Sequence, residues 1–145
     1  MSLTFALLLL AAPQLDPKEV FALLRSPAKV ESFAAVQKTP SRFEILPRPQ
    51  AVDKVAAFNL VTAILEQKQP LGGKACGFQP VVAFRFSRAN KTFDLLICFS
   101  CQQVLIRPAE SEGMGIMLYF DDAAERILSL TRTARPDDPR LKDLK

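Results

Sequence analysis

Histidine and tryptophan are absent from this 145-residue chain, and the chain contains a single tyrosine and only five glycines. Histidine is the usual general base near neutral pH and the commonest metal ligand in proteins. Without it, neither a Ser-His-Asp triad, a Cys-His pair nor a zinc site with imidazole ligands can be built. The absence of histidine therefore favours a non-enzymatic protein. We predict no catalytic residue, no metal site and no cofactor.

The remaining composition is that of one folded domain. Hydrophobic residues make up 49% of the chain and charged residues 23%, and 145 residues suffice for one core but not for two. The net charge is +4, but lysines and arginines occur singly, without the interleaved aromatic residues of a base-stacking platform. We therefore predict a basic solvated surface and no nucleic-acid partner.

The first twelve residues, MSLTFALLLLAA, form an apolar run. About ten apolar residues are too few to span a bilayer, which needs about twenty, but they match the hydrophobic region of a secretory signal. A signal of this kind usually has a basic start and no proline after its cleavage site, whereas this run lacks Lys and Arg and precedes Pro13. We predict a signal peptide over residues 1–14, export to the periplasm or the cell exterior, and no membrane span in the mature chain. The alternative is the first element of a cytoplasmic domain.

Two segments carry helix signals ahead of the middle of the chain. Asp16 followed by Pro17 is the pattern of a capping residue and a first helical position, so a short helix is predicted to begin there. Residues 51–67 repeat apolar side chains at helical spacing and carry few polar ones. A helix with so wide an apolar surface is expected to lie across a sheet.

The C-terminal quarter also contains a helix signal. Asp122 followed by Glu125 resembles a capping box, and Pro136 ends the apolar periodicity. Asp121 and Asp122 are adjacent carboxylates, for which a role in helix capping is favoured over acid–base chemistry. Residues 137–145 are polar and are predicted to form a frayed tail.

Alternation between apolar and polar residues indicates several strands. The hairpin at the centre of the pattern is predicted to pair Phe86 with Leu95 and Phe84 with Ile97. We predict an α+β domain over residues 15–136, with an antiparallel sheet of about four to five strands and the long apolar helix and a C-terminal helix packed on it. The predicted strands are residues 29–37, 42–46, 81–87, 93–107 and 114–120.

Three cysteines remain to be placed. In a straight strand Cys98 and Cys101 lie about 10 Å apart on opposite faces, too far for a mutual disulfide. If the protein is exported, a disulfide from Cys76 to Cys101 or Cys98 is expected. The alternatives are three reduced core cysteines, or a thiol-based redox or metal-binding protein that uses all three, with Arg85 or Asp94 nearby.

Three stretches, CGFQPVVAFRF, FDLLICFSCQQV and ARPDDPRLKDLK, resemble a pattern in small exported proteins of planctomycete-like bacteria that have no established activity. The resemblance covers residues 70–145 and implies export and one small domain. With the composition, it favours a non-enzymatic exported domain that binds a partner or acts in an envelope-associated complex. The alternative is the thiol-based or metal-binding protein, and the sequence does not indicate an oligomeric state.

Overall fold

A computed structural model describes residues 14–40, 42–111 and 115–145, so the predicted signal peptide lies outside it except for its last residue. The helices are α1 (Pro17–Arg25), α2 (Lys54–Leu65), α3 (Ala124–Ala134) and α4 (Pro139–Lys142), with a 3-10 turn at Asp121–Ala123. The strands are β1 (Lys29–Thr39), β2 (Arg42–Ile45), β3 (Gln50–Ala51), β4 (Val82–Arg88), β5 (Lys91–Cys98), β6 (Gln103–Pro108) and β7 (Ile116–Tyr119). No helix in these ranges is long and apolar enough to cross a bilayer.

All seven strands belong to one antiparallel sheet, which confirms the α+β class. The order is β2-β1-β4-β5-β6-β7, and the short β3 pairs with β1. The prediction of four to five strands was too low for two reasons. The two-residue β3 has too little sequence to show a pattern, and the region predicted as one strand over residues 93–107 folds as two.

The break in residues 93–107 is a hairpin turn between β5 and β6. Cys98 and Gln103 form the last pair of the ladder, leaving a four-residue loop. Within it, the N–H of Gln102 donates to the carbonyl of Phe99 at 3.3 Å, and Gln102 has a φ of +55°. Four-residue hairpin loops are commonly built around a tight turn of this kind. Because the loop contains no Gly, Pro or Asn, the alternation of apolar and polar residues does not show that the strand ends there.

The β4–β5 hairpin forms as predicted, but its register differs. Phe84 lies opposite Leu95 and Phe86 opposite Phe93, a shift of two residues from the predicted pairing of Phe86 with Leu95. The side chains stay on the predicted faces because an even shift preserves the alternation. The register follows from the turn, which is only two residues long because Ala89 adopts a φ of +53°.

The main core lies between one face of the sheet and the helices. The N-cap carboxylate of Asp53 accepts from the N–H of Ala56 at 2.9 Å, so α2 starts later than predicted and has 12 residues. Val55 and Phe58 on its outer side are 66% and 47% exposed. The long helix predicted over residues 51–67 is therefore a shorter one that buries a single side. Its buried residues Ala57, Leu60, Val61 and Ile64 pack with Phe84, Phe86, Leu95 and Ile97 of the sheet.

A smaller apolar cluster lies on the opposite face of the sheet, which we call the outer face. Its centre is formed by Phe33, Ala83 and Leu96, all buried. β1 has eleven residues: its first half pairs with β4, and its second half pairs with β2. The β1–β2 hairpin folds over the outer face, where Phe43 and Ile45 pack on the cluster.

The C-terminal region departs from the prediction in two ways. Asp122 is not a helix cap, since it lies in the 3-10 turn that precedes α3, and the capping position, Ala123, has no side-chain hydrogen bond. The predicted frayed tail contains α4, whose Leu141 is buried. A polar sequence was expected to be solvated, but Leu141 packs into the protein and Asp138 caps this turn of helix.

Candidate binding site at the linker between α2 and β4

The linker between α2 and β4 is the longest described stretch without helix or strand, spanning residues 66–81. Most of its residues are exposed, so it gains little stability from burial. Its position is instead set by contacts with the β5–β6 turn, with β7 and with the 3-10 turn. These contacts bring together several side chains that sequence patterns did not connect.

A cysteine pair makes the first of these contacts. Cys76 of the linker and Cys101 of the β5–β6 turn lie at disulfide-bonding distance, with Cα atoms 6.0 Å apart. Cys98 is the buried last residue of β5, where its sulfur accepts from the N–H of Gln79 at 3.3 Å. The prediction that Cys98 and Cys101 occupy one strand was wrong, because the turn places Cys101 beyond the end of β5. Of the two pairings left open for Cys76, the structure has the one with Cys101.

Lys74 makes the second contact. Its ammonium group donates to the carbonyl of Cys101 at 3.1 Å and forms an ion pair with the carboxylate of Asp121. It also lies 5.7 Å from the ring centroid of Tyr119, within the range of a cation–π interaction. Asp121 is therefore the partner of a lysine rather than one half of a carboxylate pair with Asp122.

Gln69 makes the third contact, with the backbone of the edge strand β7. The N–H of Tyr119 donates to Oε1 of Gln69 at 2.9 Å, and the carbonyl of Tyr119 accepts from Nε2 at 3.3 Å. One side-chain amide thus makes both hydrogen bonds that a residue of a neighbouring strand would make.

These contacts leave a cleft of about 510 Å³, open to solvent, between the linker, β7 and the 3-10 turn. Most of the residues that line the cleft are polar or charged, and they combine positive and negative side chains with the glycine-rich part of the linker. Such a surface suits recognition of a polypeptide more than burial of an apolar molecule. The lining residues are Gln67, Lys68, Gln69, Pro70, Gly72, Gly73, Lys74, Tyr119, Asp121 and Asp122.

Arg85 and Asp94, the polar residues considered for thiol chemistry, pair with each other on the outer face. The guanidinium donates to the carboxylate through Nε at 2.8 Å and Nη2 at 2.9 Å, and it lies 4.9 Å from the ring centroid of Phe33. The hydrogen bond to Asp94 raises the pKa of Arg85, burial lowers it by less, and the negative charges of Asp94 and Glu31 add to the rise.

The position of this pair separates it from the cysteines. Asp94 precedes Cys98 by four residues, which is about 13 Å along a strand. The two charged groups are hydrogen-bonded to each other, so the structure does not place them as partners of a reactive thiol. Within residues 14–40, 42–111 and 115–145, no group of three or more Cys, Asp or Glu side chains is arranged to hold a metal ion.

Sequence reasoning also missed a buried polar network at α4. The carboxylate of Asp138 accepts from Nε of Arg135 at 3.0 Å and from Nη2 of Arg140 at 3.1 Å, and Arg135 donates to the hydroxyl of Ser32 at 2.9 Å. Burial by itself raises the pKa of Asp138, but the hydrogen bonds from Arg140 and Arg135 outweigh it and leave the pKa below its ordinary value.

Arg140 extends this network to the strands. Its Nη1 donates to the carbonyl of Ala35 and its Nη2 to that of Val81, each at 2.7 Å. These carbonyls lie where β1 and β4 cease to pair. A signal for α4 was present in the sequence, because Asp138-Pro139 repeats the cap-and-proline pattern that correctly predicted α1 at Asp16-Pro17.

Comparison of the chain with protein-family models, with curated proteins and with solved structures finds no match. The resemblance to small exported bacterial proteins therefore stays a prediction, and the functional argument rests on the geometry of the site.

Proposed function

We propose that the protein is a small exported domain without enzymatic activity that binds a partner protein within an envelope-associated complex. The observation that carries the proposal is the pairing of Cys76 with Cys101, which fastens the linker to the β5–β6 turn. Structural disulfides persist in oxidising compartments and are rare in the cytoplasm. The apolar run of residues 1–12 supports the same location.

The cleft beside the cysteine pair is the surface we assign to the partner. Leu71 is fully exposed between two lining residues of the cleft, and Met117 is exposed on β7 two residues before Tyr119. Single exposed apolar side chains are common, but two beside one cleft offer apolar contacts to a partner.

The second candidate is a thiol-based redox or metal-binding protein that uses Cys76, Cys98 and Cys101. One observation favours it: Cys98 is a free cysteine at the end of the strand that leads into the turn of Cys101. The number of reactive thiols distinguishes the two candidates. A structural disulfide leaves one thiol, whereas a thiol or metal site leaves three in the reduced state.

Protein purified from its native host tests the export and redox parts of the proposal. We expect N-terminal sequencing to find a start near residue 15, and alkylation under denaturing conditions to label one cysteine. An intact Met1 together with three labelled cysteines and bound metal would favour the second candidate.

Photo-crosslinking in the native host tests partner binding. A photoreactive amino acid in place of Leu71 is expected to yield a discrete protein adduct. The matched control is the same substitution at Val55, another exposed apolar residue, about 15 Å from the linker along α2. Identical adduct patterns at the two positions would contradict the assignment of the cleft.

A further inference from the structure

The edge of β7 that faces away from β6 is the feature that indicates how a partner binds. The N–H of Phe120 donates to the carbonyl of Gln102 at 3.0 Å, which sets the phase of hydrogen bonding between β6 and β7. Along an antiparallel pair, residues that hydrogen-bond to the neighbouring strand alternate with residues that do not. Leu118 therefore bonds to β6, whereas Met117 and Tyr119 direct their backbone groups away from it. No other described strand pairs with β7.

The two outward-facing residues of this edge are not equivalent. Tyr119 is satisfied by the side-chain amide of Gln69, which stands in for the peptide group of a neighbouring strand. The N–H and carbonyl of Met117 have no hydrogen-bond partner in the part of the chain that the structure describes. The edge is thus bonded to one amide group at Tyr119, and at Met117 it offers a donor and an acceptor to a second.

We propose that an extended segment of the partner adds to β7 as a further strand, displaces the amide of Gln69 and bonds to Met117 and Tyr119. This inference rests on the proposed function, because it specifies how the partner of that cleft binds. Main-chain hydrogen bonds supply affinity in strand addition, and side-chain contacts supply specificity.

The surroundings of the edge define the chemistry of the added segment. The side chain of Met117 is 36% exposed and Leu71 is fully exposed, so an apolar residue is expected opposite them. Beyond Tyr119 the segment would enter the polar cleft, where Lys74 and Asp121 lie. The occupant is therefore an extended peptide with an apolar residue near Met117 and polar residues in the cleft.

The test selects peptides from a random 12-residue phage-displayed library against the whole chain with its disulfide intact. Kd values of a selected synthetic peptide are then measured by fluorescence anisotropy. Because the N–H of Met117 points away from β6, Met117→Pro removes the donor without breaking the β6–β7 ladder. We expect it to weaken binding at least about tenfold, since it both removes a hydrogen bond and obstructs the added strand. Met117→Ala, the matched control, keeps the N–H and should weaken binding about threefold at most.

Gln69→Ala should change affinity in the opposite direction. It removes the amide that competes for Tyr119, so we expect the peptide to bind about three- to tenfold more tightly. This gain cannot result from misfolding, so it keeps the test decisive if Met117→Pro lowers stability.

Equal affinity for the wild type, Met117→Pro and Gln69→Ala would show that peptides bind elsewhere, which overturns strand addition and leaves the proposed function standing. Failure to select any peptide also overturns it, whereas crosslinking at Leu71 judges the proposed function separately. A dimer that Met117→Pro dissociates would mean that a second copy occupies the edge, which overturns the assignment to a partner segment.

Discussion

Replacing Asp138 by asparagine removes one negative charge from a site that holds two arginines. The side chains of Asp138 and Arg135 are 3% and 6% exposed, so their charges are shielded from water. Removing one partner of a buried ion pair costs about 3–5 kcal/mol, because the other charge stays buried and unpaired. Asparagine has nearly the size of aspartate, so no cavity adds to this cost. Arg140 is 38% exposed and can rehydrate. We therefore expect the free energy of unfolding to fall by about 3 kcal/mol, the lower end of this range.

Urea unfolding at pH 7, followed by circular dichroism under oxidising conditions, measures this loss. The matched control is Asp137→Asn, which removes the same charge from the neighbouring exposed position and should change the free energy of unfolding by less than about 0.5 kcal/mol. If Asp138→Asn also stays within that limit, residues 137–145 form the frayed tail that their composition predicts, and the network contributes nothing to stability.

The same variant has an expected pH dependence. Because the pKa of Asp138 in the folded protein lies below the unfolded value of 3.8, its ionised form favours folding. This contribution is complete above about pH 5 and is lost as the pH falls through the lower, folded-state pKa. The difference in stability between the wild type and Asp138→Asn should therefore shrink below pH 4. A difference that grows on acidification would refute the assigned role of the carboxylate.

Four further substitutions have expected outcomes. Phe84→Ala and Ile97→Ala each empty a fully buried position and should lower the free energy of unfolding by about 2–5 kcal/mol in urea titrations; losses below about 0.5 kcal/mol at both would mean that this face is not the core. Ala89→Gly relieves the strain of a left-handed conformation and should raise the free energy of unfolding by about 0.5–1 kcal/mol. The midpoint of thermal unfolding should rise with it, and a lower midpoint would contradict the turn geometry. Cys76→Ser should cost about 3 kcal/mol relative to the oxidised wild type, because the pair with Cys101 closes a 25-residue separation, and the cost should vanish when both proteins are measured under reducing conditions.

Elements whose signals are local were predicted well from the sequence. Asp16 and Pro17 fix the start of α1 through one hydrogen bond and one restricted dihedral angle, and the cap contact is present at 3.0 Å. Alternation assigned the correct faces to β4 and β5. Their register was wrong because it depends on the φ angle of Ala89, a residue type that seldom adopts a left-handed conformation.

Features that depend on tertiary contacts could not be predicted. The turn at residues 99–102 contains no Gly, Pro, Asn or Asp and only one serine, Ser100, so its sequence gives a weak turn signal. Its position follows from the packing of β6 back onto β5. The network at Asp138 joins Arg135 to Ser32, which are 103 residues apart in sequence. The candidate site was predicted only in part: the pairing of Cys76 with Cys101 was one of two alternatives, and no pattern linked Gln69 to Tyr119.

The position of Arg140 has a consequence for biosynthesis. Its guanidinium donates to the carbonyls of Ala35 and Val81, and Arg140 is synthesised 105 and 59 residues after them, respectively. The junction of β1 and β4 therefore lacks these hydrogen bonds until Arg140 has left the ribosome. Contacts between such distant residues also slow folding after synthesis. A nascent chain of this kind is incompletely folded until Arg140 has been made, and until then it is accessible to chaperones.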